Sequence, residues 1–122
     1  MKKKIMIVDD EEHIRVFYTE ELAEAGYGVL TFNNGYNLIE KIEKEKPDLI
    51  LLDIKMADYN GLDLLQEIRQ IFPSLPVILN TAYDTFKEDK KSVHANDYVV
   101  KSFDLTELKN KIAAALDTET DA

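Results

Sequence analysis

The sequence predicts one α/β domain: a doubly wound, five-stranded parallel sheet flanked by five helices. Short runs rich in Ile, Val and Leu alternate with segments of helical spacing, the order that builds strand–helix–strand units. The runs are continuously apolar rather than alternating, as in strands buried on both faces of a parallel sheet. The chain has 122 residues, 45% hydrophobic and 32% charged, which suits one globular domain with a working core. Neither a linker nor an internal repeat divides it, so the domain is expected over residues 1–117, with a fraying polar tail at 118–122.

The first strand is read at Ile5–Val8, where four apolar residues follow three lysines. Asp9, Asp10, Glu11 and Glu12 come next, so the run is too short for a signal peptide or a spanning helix. Ile14, Phe17, Tyr18, Leu22 and Ala25 then share a helical stripe, and Gly26 supplies the stop. A weaker strand is expected at Val29–Phe32. Leu38, Ile39 and Ile42 mark the second helix, ended before Pro47. Leu49–Leu52 is the third strand. Leu64, Leu65, Ile68 and Ile71 form the third helical stripe, ended before Pro73. Val77–Leu79 is the fourth strand. The segment 84–94 carries few apolar residues beyond Phe86 and Val93, so the fourth helix is expected to be poorly anchored. Tyr98–Val100 is the fifth strand. Leu105, Leu108, Ile112 and Leu116 form the last helix, with Asp104 and Glu107 spaced as a capping box.

Fifteen basic and 24 acidic side chains leave a formal net charge of −9. That excess repels phosphate backbones and anionic lipid, arguing against direct nucleic-acid or membrane binding and for a basic partner or a divalent cation. Cysteine is absent, which removes disulfides, thiolate nucleophiles and Cys-based metal sites and suits a cytoplasmic location.

In an open parallel sheet, functional groups gather beyond the carboxyl ends of the strands. Those ends carry Asp9 and Asp10, Asp53, Thr81 and Lys101. Each alone has an ordinary reading as a cap, a turn residue or a surface charge. Together they place three carboxylates, a hydroxyl and an ammonium at one edge. The carboxylates would repel one another without a hard cation, and magnesium prefers such oxygen ligands. The ammonium and hydroxyl then suit phosphoryl oxygens, and a carboxylate can itself form an aspartyl phosphate. Other phosphate chemistries fit less well. DDEEH stands where a Gly-rich phosphate loop would follow the first strand, and Lys55 stands where a haloacid-dehalogenase-type hydrolase needs a second Asp. His13 and His94 read as solvated helix residues.

From KIMIVDDEE through DLILLDIKM and PVILNTAYD to DYVVKSFDLTEL, nearly the whole chain resembles the receiver domain of bacterial two-component response regulators. That resemblance implies a flavodoxin-like topology and a phosphoacceptor that assists its own phosphorylation without being a turnover enzyme. Asp53 would take a phosphoryl group from a phosphohistidine of a sensor histidine kinase or a histidine phosphotransfer protein. Asp9, Asp10, Asp53 and the Lys55 backbone carbonyl would hold Mg2+. Thr81 and Lys101 would contact phosphoryl oxygens, and Tyr98 would turn inward as Thr81 moves, altering the surface of the fourth helix, fifth strand and last helix. Lys55 and Tyr83 match positions that modulate phosphate lifetime, and a bulky Tyr83 implies a long-lived phosphoaspartate.

Three residues depart from the family pattern. Ser102 replaces a proline whose preceding bond is commonly cis, so a trans bond and a displaced Lys101 are expected. Ala57 replaces a proline after Met56, leaving Gly61 to make the turn. His94 replaces a glycine, which unsettles the end of the fourth helix. A degenerate receiver acting as a phosphorylation-independent interaction module is therefore the alternative function, and an autonomous phosphatase lacks a general acid near Asp53. Val16 lies off the main stripe of the first helix and suits either a kinase helix bundle or scattered exposure. A downstream protein target or a missing output domain fits equally, as does a monomer or a weak phosphorylation-dependent dimer.

Overall fold

The computed structural model describes residues 2–87 and 89–117, so the tail at 118–122 lies outside the described residues. Five strands, β1 (Lys4–Val8), β2 (Gly28–Phe32), β3 (Leu49–Leu52), β4 (Val77–Thr81) and β5 (Asp97–Val100), form one sheet in the order β2-β1-β3-β4-β5. All four pairings are parallel. Chain order reverses between β1 and β3, which opens a crevice at their carboxyl ends.

Among the described residues, four α-helices cover the sheet: α1 (Glu12–Glu24), α2 (Leu38–Glu45), α3 (Gly61–Ile71) and α4 (Thr106–Asp117). Side chains alternate across a strand, which explains the uninterrupted apolar runs. Met6, Val8, Ile50 and Leu52 face one core with Leu38, Ile42, Leu65 and Ile68, while Ile5, Ile7, Leu49 and Leu51 face the other with Tyr18, Leu22, Leu108 and Ile112. Gly26, at φ +103°, ends α1 as expected. Asp104 accepts the Thr106 backbone N–H at 2.9 Å at the start of α4.

Two expectations need correction. Among the described residues of segment 84–94 there is no fifth α-helix; a 3₁₀ turn stands at Lys90–His94. An α-helix of that length depends on a buried face, yet Val93 is 77% exposed and Phe86 packs against the core only in part. The turn is fastened instead at its C-terminal end, where the Arg69 guanidinium donates to the His94 and Leu75 carbonyls at 2.7 and 2.6 Å and to Asn96 Oδ1 at 2.8 Å. His94 lacks the positive φ that would call for glycine, and Ala95 leaves in an extended conformation. Ile71 is the second correction. It is half exposed, and Phe72 packs against the core in its place.

Candidate functional site

Strand ends bring the predicted residues together. Asp9 follows β1 and its N–H donates to the Phe32 carbonyl at 3.1 Å; the Asp53 N–H, after β3, donates to the Val8 carbonyl at 3.0 Å. Both side chains are buried, while Asp10 is exposed at the rim. Carboxylate oxygens of Asp9, Asp10 and Asp53 all lie within 4.8 Å of one another. Thr81 closes β4 fully buried, and its Oγ1 has no hydrogen-bond partner among the described residues. Such an orphaned hydroxyl is costly and stands ready for a further acceptor.

Lys101 reaches this cluster from the end of β5. Its backbone N–H donates to the Thr81 carbonyl at 2.7 Å. Its ammonium contacts Glu11 Oε1 at 2.6 Å, Asp9 Oδ2 at 2.9 Å and Asp53 Oδ2 at 3.2 Å. The expected displacement of Lys101 is thus corrected. The described residues hold no cis peptide bond, and the loop through Ser102 still delivers the ammonium because the Thr81 carbonyl anchors its backbone.

The electrostatics follow from burial. Desolvation, followed by the Asp9 charge, pushes Asp53 up to about 6 against the pull of Lys101. Burial likewise raises Asp9. Burial would lower Lys101, but the hydrogen-bonded carboxylates of Glu11 and Asp9 outweigh it and keep the ammonium charged well above its usual range. The hydrogen bond from Lys101 lowers Glu11.

The loop after Asp53 is held by close packing. Asp53 Oδ1 accepts the Ile54 N–H at 2.8 Å. The Gly61 N–H donates to the Ile54 carbonyl at 2.7 Å, and a Cβ on Gly61 would lie 2.0 Å from the Asp53 carbonyl oxygen. Only glycine admits that approach. The turn with Ala57 still closes through reciprocal bonds between Met56 and Tyr59.

At the rim, the Lys55 ammonium lies 5.3 Å from the Tyr83 ring centroid, within cation–π range. Tyr98 is turned inward and its hydroxyl donates to the Tyr83 carbonyl. Val16 is 52% exposed beside Glu12, His13, Phe17 and Glu20. Sequence reasoning missed Glu11, the shortest partner of Lys101. Its one signal was a third consecutive acid after the Asp9–Asp10 pair.

Residues 5–113 match the family model of the response regulator receiver domain. The chain belongs to that family. It is a receiver of two-component signalling, a family of response regulators. It is 32% identical over 114 residues to Sporulation initiation phosphotransferase F of Bacillus subtilis, covering 92% of each chain. It is also 36% identical over 119 residues to the Alkaline phosphatase synthesis transcriptional regulatory protein PhoP of the same organism, covering 95% of this chain and 49% of the relative. The chain therefore spans about half the length of that regulator, and only 22% of the DNA-binding transcriptional regulator NtrC of Escherichia coli. Among solved structures, response regulator TrrA of Thermotoga maritima in complex with Mg(2+)-BeF superposes with a TM-score of 0.90 at 42% identity, covering 93% of this chain and 99% of that one. TrrA has also been solved in complex with the histidine kinase ThkA, and that structure matches with a TM-score of 0.87. Among the described residues, no helix of this receiver is long and apolar enough to cross a membrane.

Proposed function

We propose that this receiver takes a phosphoryl group on Asp53 from a phosphohistidine of a sensor histidine kinase or a histidine phosphotransfer protein. The observation that carries the reading is the Lys101 ammonium 3.2 Å from Asp53 Oδ2, at a pocket whose buried Thr81 hydroxyl is unpartnered. An Asp53 carboxylate oxygen attacks phosphorus, the phosphorus–nitrogen bond of the donor breaks, and its electron pair returns to the imidazole nitrogen. Lys101 and Thr81 donate to the phosphoryl oxygens as they shift, which is where transfer of this kind needs charge stabilisation.

The donor set fits Mg2+: three carboxylates converge, and hard oxygen ligands are what that ion prefers. Asp9, Asp10 and Asp53 would hold it, with the Lys55 carbonyl as a backbone ligand. The ion would neutralise negative charge between the carboxylates and the phosphoryl oxygens. TrrA binding Mg(2+)-BeF and the kinase ThkA supports carrying the same partner classes to this chain.

Phosphorylation rewards arrangements in which Thr81 and Lys101 approach the new oxygens, so it shifts the population toward them. Tyr98 sits inward with its hydroxyl on the Tyr83 carbonyl, and a change there would reach β5, α4 and the 3₁₀ turn. That surface would act on a downstream protein or an output domain. The Lys101 ammonium 3.2 Å from Asp53 Oδ2 favours this reading over the degenerate interaction module.

Intact mass after incubation with Mg2+ and a small phosphodonor tests the proposal. Gain of one phosphoryl group that needs both Mg2+ and Asp53 is expected, and Asp53→Asn should gain none. Failure to gain the group from either a small donor or a phosphorylated kinase would refute it.

A further inference from the structure

The contact between Glu11 and Lys101 has no part in the transfer chemistry just described, yet it is the shortest ion pair in the pocket. An ammonium carries three N–H donors. In Lys101 they face three carboxylates, at 2.6 Å for Glu11, 2.9 Å for Asp9 and 3.2 Å for Asp53. No donor is left over at rest. Loading replaces the Asp53 carboxylate charge with phosphoryl oxygens of greater charge, and Glu11 and Asp9 then compete with them for the ammonium.

The three partners are not equally free to leave. Asp9 is buried, its Oδ1 accepts the Glu11 backbone N–H at 2.9 Å, and Asp53 carries the incoming group. Removing the ammonium from Asp9 would leave a buried charge poorly compensated, and the contact with Asp53 passes to the phosphoryl group that Asp53 then carries. The Glu11 side chain is 42% exposed, so its carboxylate returns to water at small cost. It also has somewhere to go. Glu11 stands at the N-cap of α1, yet its side chain makes no capping bond there; the open N–H groups and positive end of the helix favour an anion.

We propose that Glu11 is the resting counterion of Lys101, surrendering the ammonium to a phosphoryl oxygen when Asp53 is phosphorylated and thereby opposing loading. This inference rests on the phosphoacceptor reading of Asp53. Glu11 is a positioning residue: it touches no reacting atom and acts through Lys101. It makes the resting arrangement more stable than the pocket residues alone would, and so sets how strongly a phosphoryl group must bind to win Lys101.

Beryllofluoride titration at saturating Mg2+, with Mg2+ affinity measured separately, tests this on four chains: the unmodified protein, Glu11→Gln, Glu11→Asp and Glu12→Gln. Glu11→Gln is expected to tighten beryllofluoride binding by about threefold to fivefold, the range for a partly exposed ion pair. Glu11→Asp keeps the charge but is too short for the contact, and is expected to tighten binding in the same direction. Glu12→Gln removes the same charge from an exposed neighbour and should leave the affinity unchanged. The NMR signal of the Lys101 ammonium should differ between Glu11→Gln and the unmodified protein before loading and coincide after it. Unchanged or weaker binding in Glu11→Gln would overturn the inference, as would Glu11→Asp matching the unmodified protein, or an ammonium signal that still differs after loading. If the unmodified protein binds no beryllofluoride, the phosphoacceptor reading itself falls, and this inference with it.

Discussion

Replacing Asp53 with Asn should stabilise the metal-free protein, because its buried pocket is a poor place for a carboxylate that Lys101 compensates only in part. Asp53 is buried and its pKa is raised from 3.8 to about 6, first by desolvation and then by Asp9. A carboxyl group whose folded pKa is raised binds more protons folded than unfolded between those values, so stability falls as pH rises through the window. The gap between 3.8 and about 6 corresponds to about 3 kcal/mol once Asp53 is fully ionised, at about 1.36 kcal/mol per pH unit. In EDTA at pH 7.5, Asp53→Asn should raise Tm by about 10 °C for a domain of this size. By pH 5 the gain should shrink to about half, since Asp53 is then mostly protonated in the folded state. Thermal melts followed by circular dichroism across pH 4–8 measure this directly. Added Mg2+ should reverse the ranking by stabilising the unmodified protein more than the variant. A variant no more stable than the unmodified protein at pH 7.5, or a gain that does not change with pH, would refute the reasoning.

Other substitutions probe the scaffold and the rim. Gly61→Ala forces a Cβ to 2.0 Å from the Asp53 carbonyl, so denaturant unfolding should show a loss of about 1–3 kcal/mol and phosphorylation by a small donor should slow. Arg69→Ala removes the clasp on the His94 and Leu75 carbonyls; hydrogen exchange at Lys91–Ala95 should accelerate while the β1 and β3 amides keep their protection. Lys55→Asn and Tyr83→Ala each dissolve the cation–π pair at the rim and should shorten phosphoaspartate lifetime, read by loss of the added mass with time. An unaltered lifetime in both would show that the pair does not shield the phosphoryl group.

Much of this molecule was legible because its strands are short and buried on both faces. Runs such as Leu49–Leu52 leave no solvent-facing positions, which marks a parallel sheet. A parallel sheet sends every strand's carboxyl end to one edge, so Asp9, Asp10, Asp53, Thr81 and Lys101 could be assembled from strand ends alone. The weakness of segment 84–94 was equally visible in its lack of apolar residues. Its replacement by a 3₁₀ turn was not, because that turn is held by Arg69 from α3, a contact no local pattern encodes.

The sequence by itself determined the sheet, the helical stripes and the five residues that face one another, since periodicity and strand polarity are local properties that propagate into the fold. Tertiary structure alone decided who holds Lys101. Glu11 and Lys101 lie 90 positions apart, and their pairing depends on how the loop after β5 turns over the start of α1. It likewise decided that Lys101 stays in place with Ser102 behind it, because the backbone bond to Thr81 and three converging carboxylates fix an ammonium more firmly than the residue that follows it.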